Sequence, residues 1–163
     1  MTQTKLIAEF LNSIGIPCSA GSLPDPTFLP GIYIRNGTLV YDPGCMLYPG
    51  DLLHEAGHLA VLRPADRVRA NGSENLSGDL DPAGAELAAI AWSWVASEAI
   101  GLPAEVVFHE AGYQDGASCL ADNFKAGKYL DHFMLDYVGM TSAKAAGNAV
   151  TPVYPQMTHW LRQ

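Results

Sequence analysis

Asp51-Leu52-Leu53-His54-Glu55-Ala56-Gly57-His58-Leu59-Ala60 decides how the rest of the chain is read. It contains the pattern H-E-x-x-H. On an α-helix, residues four apart lie on one face, one turn above the other, so His54 and His58 can offer two imidazole nitrogens to a single metal ion. Glu55 stands beside that ion, where a carboxylate can take a proton from a water the ion activates. Leu52, Leu53, Ala56, Leu59 and Ala60 give the helix an apolar side, and Gly57 leaves room for a close neighbour. The plainer alternative is a histidine pair that merely decorates a helix surface. A third ligand downstream decides between the two.

Upstream of the motif, Leu6, Ile7, Phe10, Leu11 and Ile14 fall at helical spacing over residues 4–14, and Gly15 and Pro17 stop that helix. Ser19 to Gly31 is rich in proline and reads as loop. Gly31-Ile-Tyr-Ile-Arg-Asn-Gly-Thr-Leu-Val-Tyr-Asp42 places two β-rich runs around Asn36-Gly37, the strongest short-range signal for a hairpin with a type I′ turn. Asp42-Pro-Gly and Tyr48-Pro-Gly then lead into the motif helix, with Asp51 near its N-cap.

Downstream, the helix should end near Arg63-Pro64, and residues 64–82 read as a polar loop. Asp81-Pro82 is a start signal, an N-cap acid followed by proline in the first turn. The segment from Ala83 to Ile100 is helical and apolar nearly all round, which predicts a buried central helix. Short helices are expected after Pro103 and over Gly116 to Lys125. Tyr129, Phe133, Leu135 and Tyr137 are expected to pack. So is the aromatic tail around Trp160.

A catalytic zinc site usually takes three protein ligands and leaves a fourth position open. Glu86 is the leading third ligand, because a carboxylate among alanines, tryptophans and isoleucine is costly without a partner. Glu98 competes on the same helix, but about 18 Å of helical rise separates the two, so both cannot reach one ion. Asp79 and Asp81 could serve if their loop folded back, although Asp81 already has a role as a cap. Cys45 would make a two-histidine, one-cysteine site. Val61 and Pro64 stand where the long metzincin signature needs Gly and His, which excludes that class.

His54-Glu55-Ala56-Gly57-His58 followed by Glu86 on a second helix resembles the gluzincin branch of the zincin-like metallopeptidases. The order hairpin, metal helix, loop, glutamate helix is similar to the small zincin domains of the ImmA/IrrE type, over roughly residues 31–100. One departure is Ile90, where many gluzincins carry an acid four residues after the third ligand. The resemblance implies an α+β zincin-like fold, with a helical core and a β-hairpin or small sheet before the H-E-x-x-H helix, and the chain length suits a single domain over residues 1–163. It implies Zn²⁺ on His54, His58 and Glu86, with Glu55 as the base in hydrolysis of a peptide or other amide. In such enzymes an edge strand beside the metal helix can hold an extended peptide. A His, Tyr or Arg often steadies the oxyanion, and His109 and Tyr113, just after the glutamate helix, are the candidates. The competing expectation is a zincin-like binding or regulatory module whose metal only ties two helices together.

Composition bounds the rest. The chain has 163 residues, is 48% hydrophobic and carries a formal charge of −8. No basic run accompanies that charge, which argues against nucleic acid and anionic membrane surfaces as partners. No apolar stretch is long enough to span a membrane, and the first ten residues lack the pattern of a secretory signal. Three widely spaced cysteines, Cys18, Cys45 and Cys119, suit neither a disulfide framework nor a cysteine-rich metal site. A cytoplasmic setting and a peptide or protein substrate are the expectations; the oligomeric state is open.

Overall fold

The computed structural model describes residues 1–72, 76–113, 116–129, 132–143 and 152–163. Eight helices and three strands occur among them, which makes the class α+β. Helix α1 (Gln3–Ile14) is followed by strands β1 (Cys18–Ala20), β2 (Ile32–Arg35) and β3 (Thr38–Tyr41). Helices α2 (Asp51–Val61), α3 (Pro64–Arg67), α4 (Pro82–Ala99), α5 (Ala104–Val107), α6 (Glu110–Tyr113), α7 (Ala117–Lys125) and α8 (Phe133–Tyr137) complete the chain.

The sheet order is β1-β3-β2. Strands β2 and β3 form the expected hairpin, with Ile34 opposite Leu39. Its turn places Asn36 at φ 47° and Gly37 at φ 73°, the double positive φ that a type I′ turn requires. The parallel partner β1 overlaps the start of the segment expected to be loop, at Ser19 and Ala20. Its pairing, Cys18 opposite Leu39, joins residues distant in sequence. Cys-Ser-Ala carries no strand alternation that could have signalled it. The outer edge of β2 is partly taken by the chain itself: the Gly72 amide donates to the Ile34 carbonyl, and the Gly37 amide to the Ala70 carbonyl.

The core is built on the crossing of α2 and α4. Leu52, Leu53, Ala56, Leu59 and Ala60 are fully buried on one side, and Ala88, Ala89, Ala91 and Trp92 on the other. At the crossing a Cβ on Gly57 would stand 2.8 Å from the Ala89 carbonyl oxygen and 2.9 Å from its Cα. Only glycine permits this approach. Asp81 caps α4 as expected, its Oδ1 accepting from the Gly84 amide at 2.9 Å.

Two further details depart from the sequence reading, while the cap of α2 falls directly beside Asp51, as expected. The loop after α2 contains the short helix α3, and part of that loop, residues 73–75, lies outside the described residues. Phe133 and Tyr137 are largely exposed, while Leu135 on the same short helix is buried. Gly50 occupies the N-cap of α2. The tail docks as expected: the Trp92 indole donates to the Trp160 carbonyl at 2.9 Å, and Phe10 meets Trp160 edge to face.

Candidate metal centre

The contact between Gly57 and Ala89 sets what the two helices present beside it. His58 follows Gly57, and Glu86 lies one helical turn before Ala89, so both project to one side of the crossing. His54 is one turn before His58. The donor atoms of His54, His58 and Glu86 all lie within 4.8 Å of one another, the one such group among the described residues. His54 Nε2 is 3.2 Å from His58 Nε2. The Glu86 carboxylate is 3.5 Å from the former and 3.2 Å from the latter.

These spacings test whether a metal fits. Donors held about 2.0–2.1 Å from a tetrahedral zinc lie about 3.3 Å from each other. The two histidine nitrogens stand close to that separation, and the two Glu86 oxygens lie near it from one nitrogen each, Oε1 from His54 and Oε2 from His58. The two imidazoles turn the same nitrogen toward the carboxylate, and two nitrogens with one carboxylate oxygen form a donor set suited to divalent transition metals. The group can hold a metal ion.

The electrostatics agree. Burial draws the His54 imidazole toward neutrality, but Glu86, together with Glu55 and Asp51, outweighs it and raises its pKa. Hydrogen bonds from His54 and His58 hold the Glu86 carboxyl far below the usual carboxylate range.

His54 Nδ1 shares a hydrogen bond of 3.0 Å with the Tyr113 hydroxyl. His58 Nδ1 is buried without a hydrogen-bond partner. His109 Nε2 is 2.7 Å from Asp51 Oδ1, and the Gly112 amide donates to His109 Nδ1 at 3.2 Å. The second bond makes Nδ1 the acceptor, so Nε2–H is the donor to Asp51. Tyr48 stacks on the His109 ring at 4.0 Å. The structure therefore places His109 on the first residue of α2 and Tyr113 behind His54. Asp51 partners His109 instead of a metal-facing histidine.

The alternative ligands lie elsewhere. Asp79 sits between Arg63 and Arg162, at 2.7 Å from each. Cys45 is exposed, and its thiol is raised by a hydrogen bond to Asp42. Glu98 borders a groove beside Trp94 and Trp160, away from the histidines.

His54, Glu55, His58, Glu86 and Tyr113 open onto one cleft of about 630 Å³. Glu55 itself is only 3% exposed. Phe28, Leu29 and Leu76 form part of the cleft wall. Sequence reasoning missed these three, because they sit in loops whose positions no local periodicity reports. No described helix is long and apolar enough to cross a membrane. Compared with protein-family models, curated proteins and solved structures, the chain matches none.

Proposed function

We propose that this chain is a zinc-dependent amide hydrolase of peptidase type, with His54, His58 and Glu86 as the metal ligands and Glu55 as the proton-transferring base. The observation that carries the reading is the convergence of the three donors within 4.8 Å of one another at the wall of a cleft that Glu55 also lines. Glu55 supports an enzyme over a purely structural metal site, since tying α2 to α4 needs three ligands and no additional carboxylate at the cleft. The resemblance of His54-Glu55-Ala56-Gly57-His58 and Glu86 to gluzincins points the same way.

Bound there, a divalent metal supplies Lewis acidity, polarising a carbonyl and making a water acidic enough to attack near neutral pH. The chain's own residues do the rest. The Glu55 carboxylate takes the proton as the water oxygen bonds to the carbonyl carbon, and it delivers that proton to the amine nitrogen as the C–N bond breaks. Its burial keeps bulk water from competing for the proton. Tyr113 fixes the rotation of the His54 ring, and Asp51 with His109 ties the segment carrying Tyr113 to the start of α2.

The test is metal content and peptide cleavage in the wild type, Glu86→Gln and Glu55→Gln. One zinc per chain is expected, weakened in Glu86→Gln and retained in Glu55→Gln, with cleavage of a peptide library lost in both. Absence of zinc from the wild type after reconstitution would overturn the reading. So would undiminished cleavage by Glu55→Gln.

A further inference from the structure

We infer that the cleft is built for an uncharged, apolar segment of peptide and selects against acidic groups, with Phe28 as the residue that determines this preference. The inference rests on the proposed metal-centred function and adds the substrate class to it.

Two observations carry it. The first is charge. Among the described residues no lysine or arginine lines the cleft, while Asp51, Glu55 and Glu86 do. Arg63 and Arg162 are held by Asp79, and Lys125 by Glu105. The Arg67 guanidinium donates to main-chain carbonyls. Even with a divalent metal offsetting two of these three carboxylates, the cleft keeps a net negative charge and has no side-chain cation to receive a substrate carboxylate, whether an acidic side chain or a free chain end. The geometry thus disfavours both acidic side chains and release of the last residue of a chain.

The second is Phe28, which is 81% exposed although it lines the cleft. The chain that follows it is anchored. The Ile32 amide donates to the Leu29 carbonyl at 3.2 Å. Gly31, at φ 74°, lies so close to the Met46 backbone that a Cβ there would collide with it. An aromatic ring held open to solvent on a cleft wall gains contact area only when an apolar ligand covers it. Leu29, Leu76 and Ala85 extend the same apolar wall.

The experiment is calorimetric binding of three hydroxamates to the zinc-loaded wild type and to Phe28→Ala. Acetohydroxamate probes the metal alone; N-acetyl-phenylalanine hydroxamate and N-acetyl-aspartate hydroxamate probe the wall. Because Phe28 is exposed, its truncation leaves the fold and the metal ligands in place, and acetohydroxamate should bind both proteins equally. The wild type should bind the phenylalanine compound at least about tenfold more tightly than the aspartate compound, and Phe28→Ala should lose most of that ratio. Equal binding of the two amino-acid compounds by the wild type would overturn the inference while leaving the metal site standing. A ratio unchanged in Phe28→Ala would overturn the role of Phe28. Failure to bind acetohydroxamate would remove the metal-centred function, and this inference with it.

Discussion

Gly57 and Ala89 touch backbone to backbone at the crossing of α2 and α4, and that contact fixes the distance between the two histidines and Glu86. A methyl at residue 57 would meet the Ala89 Cα at 2.9 Å and its carbonyl oxygen at 2.8 Å. Neither atom is the end of a flexible side chain, so the helices must separate. Gly57→Ala gains about 1 kcal/mol of helix propensity but incurs an overpacking cost of about 1–3 kcal/mol. The measurable consequence is at the site. A few tenths of an ångström between the helices spoils the donor spacing, and zinc affinity should fall by tenfold or more, measured by competition with a chromogenic chelator. Unchanged affinity would show that the crossing does not set the site.

The Tyr113 hydroxyl hydrogen-bonds the nitrogen of His54 that faces away from Glu86. Such outer contacts orient a ligating imidazole and raise its basicity, and losing one typically costs 10–100-fold in affinity or activity. Tyr113→Phe keeps the ring, its edge-to-face contact with Phe108 and the wall of the cleft. Metal affinity should drop by roughly tenfold or more, with an altered visible spectrum of the cobalt-substituted protein. If Tyr113 acts only on the substrate, the spectrum and the affinity will match the wild type and only turnover will fall.

How much of this could be read beforehand depends on the range of the interactions. His54 and His58 meet because of helical periodicity alone, and Glu86 stood out as a carboxylate in an apolar helix; local rules suffice for both. The hairpin at Asn36-Gly37 is equally local. Strand β1 was invisible because three residues pair with β3 from across the loop. Asp51 was read only as a residue near the start of α2, because its partner, His109, arrives from the distant link between α5 and α6. The wall containing Phe28 and Leu76 exists only once separate loops converge. Tertiary placement, not residue type, gave these residues their surroundings.

Protons and metal compete for the same atoms, so binding must depend on pH. In the metal-free chain the pKa of His54 is raised above its ordinary 6.5 by the net effect of its carboxylate neighbours over burial. Metal requires the neutral ring. Zinc affinity should therefore rise with pH up to and through the raised value and weaken below it, with release of a proton per metal bound measurable by calorimetry in buffers of different ionisation enthalpy. The stability of the metal-free chain runs the other way. A raised histidine contributes stability that is full below 6.5 and is lost as pH climbs through its folded value. Glu86 contributes stability that is full above 4.5 and is lost as pH falls through its depressed value. The metal-free protein should thus gain most from this cluster between those limits. The rise in Tm on adding zinc should be larger at pH 8 than at pH 6. A rise independent of pH would mean that His54 does not exchange a proton for the metal.

Arg67 closes the far end of the metal helix. Its guanidinium donates to the Leu59, Ala60 and Leu62 carbonyls at 2.9, 3.3 and 2.9 Å, and to the Arg162 carbonyl at 2.7 Å. The first three belong to the last turn of α2 or its C-cap, where carbonyls have no partner within the helix and the dipole is negative. Burial lowers the pKa of this arginine, yet the carbonyls around it keep the cation compensated. Arg67→Met preserves much of the apolar stem and removes every donor. Buried carbonyls left without a partner cost about 1–3 kcal/mol each, and some will be recovered by water, so a net loss of about 3 kcal/mol is expected in urea unfolding. The same bonds tie the C-terminal tail to α2, which the Arg162 amide also reaches through the Ala60 carbonyl at 2.9 Å. Truncation before Trp160 should therefore destabilise the chain and loosen α2, with faster hydrogen exchange in its last turn than in its first. His58 lies in that last turn, so the truncated chain should also bind zinc more weakly than the wild type. A variant as stable as the wild type would show that water satisfies those carbonyls as well as Arg67 does.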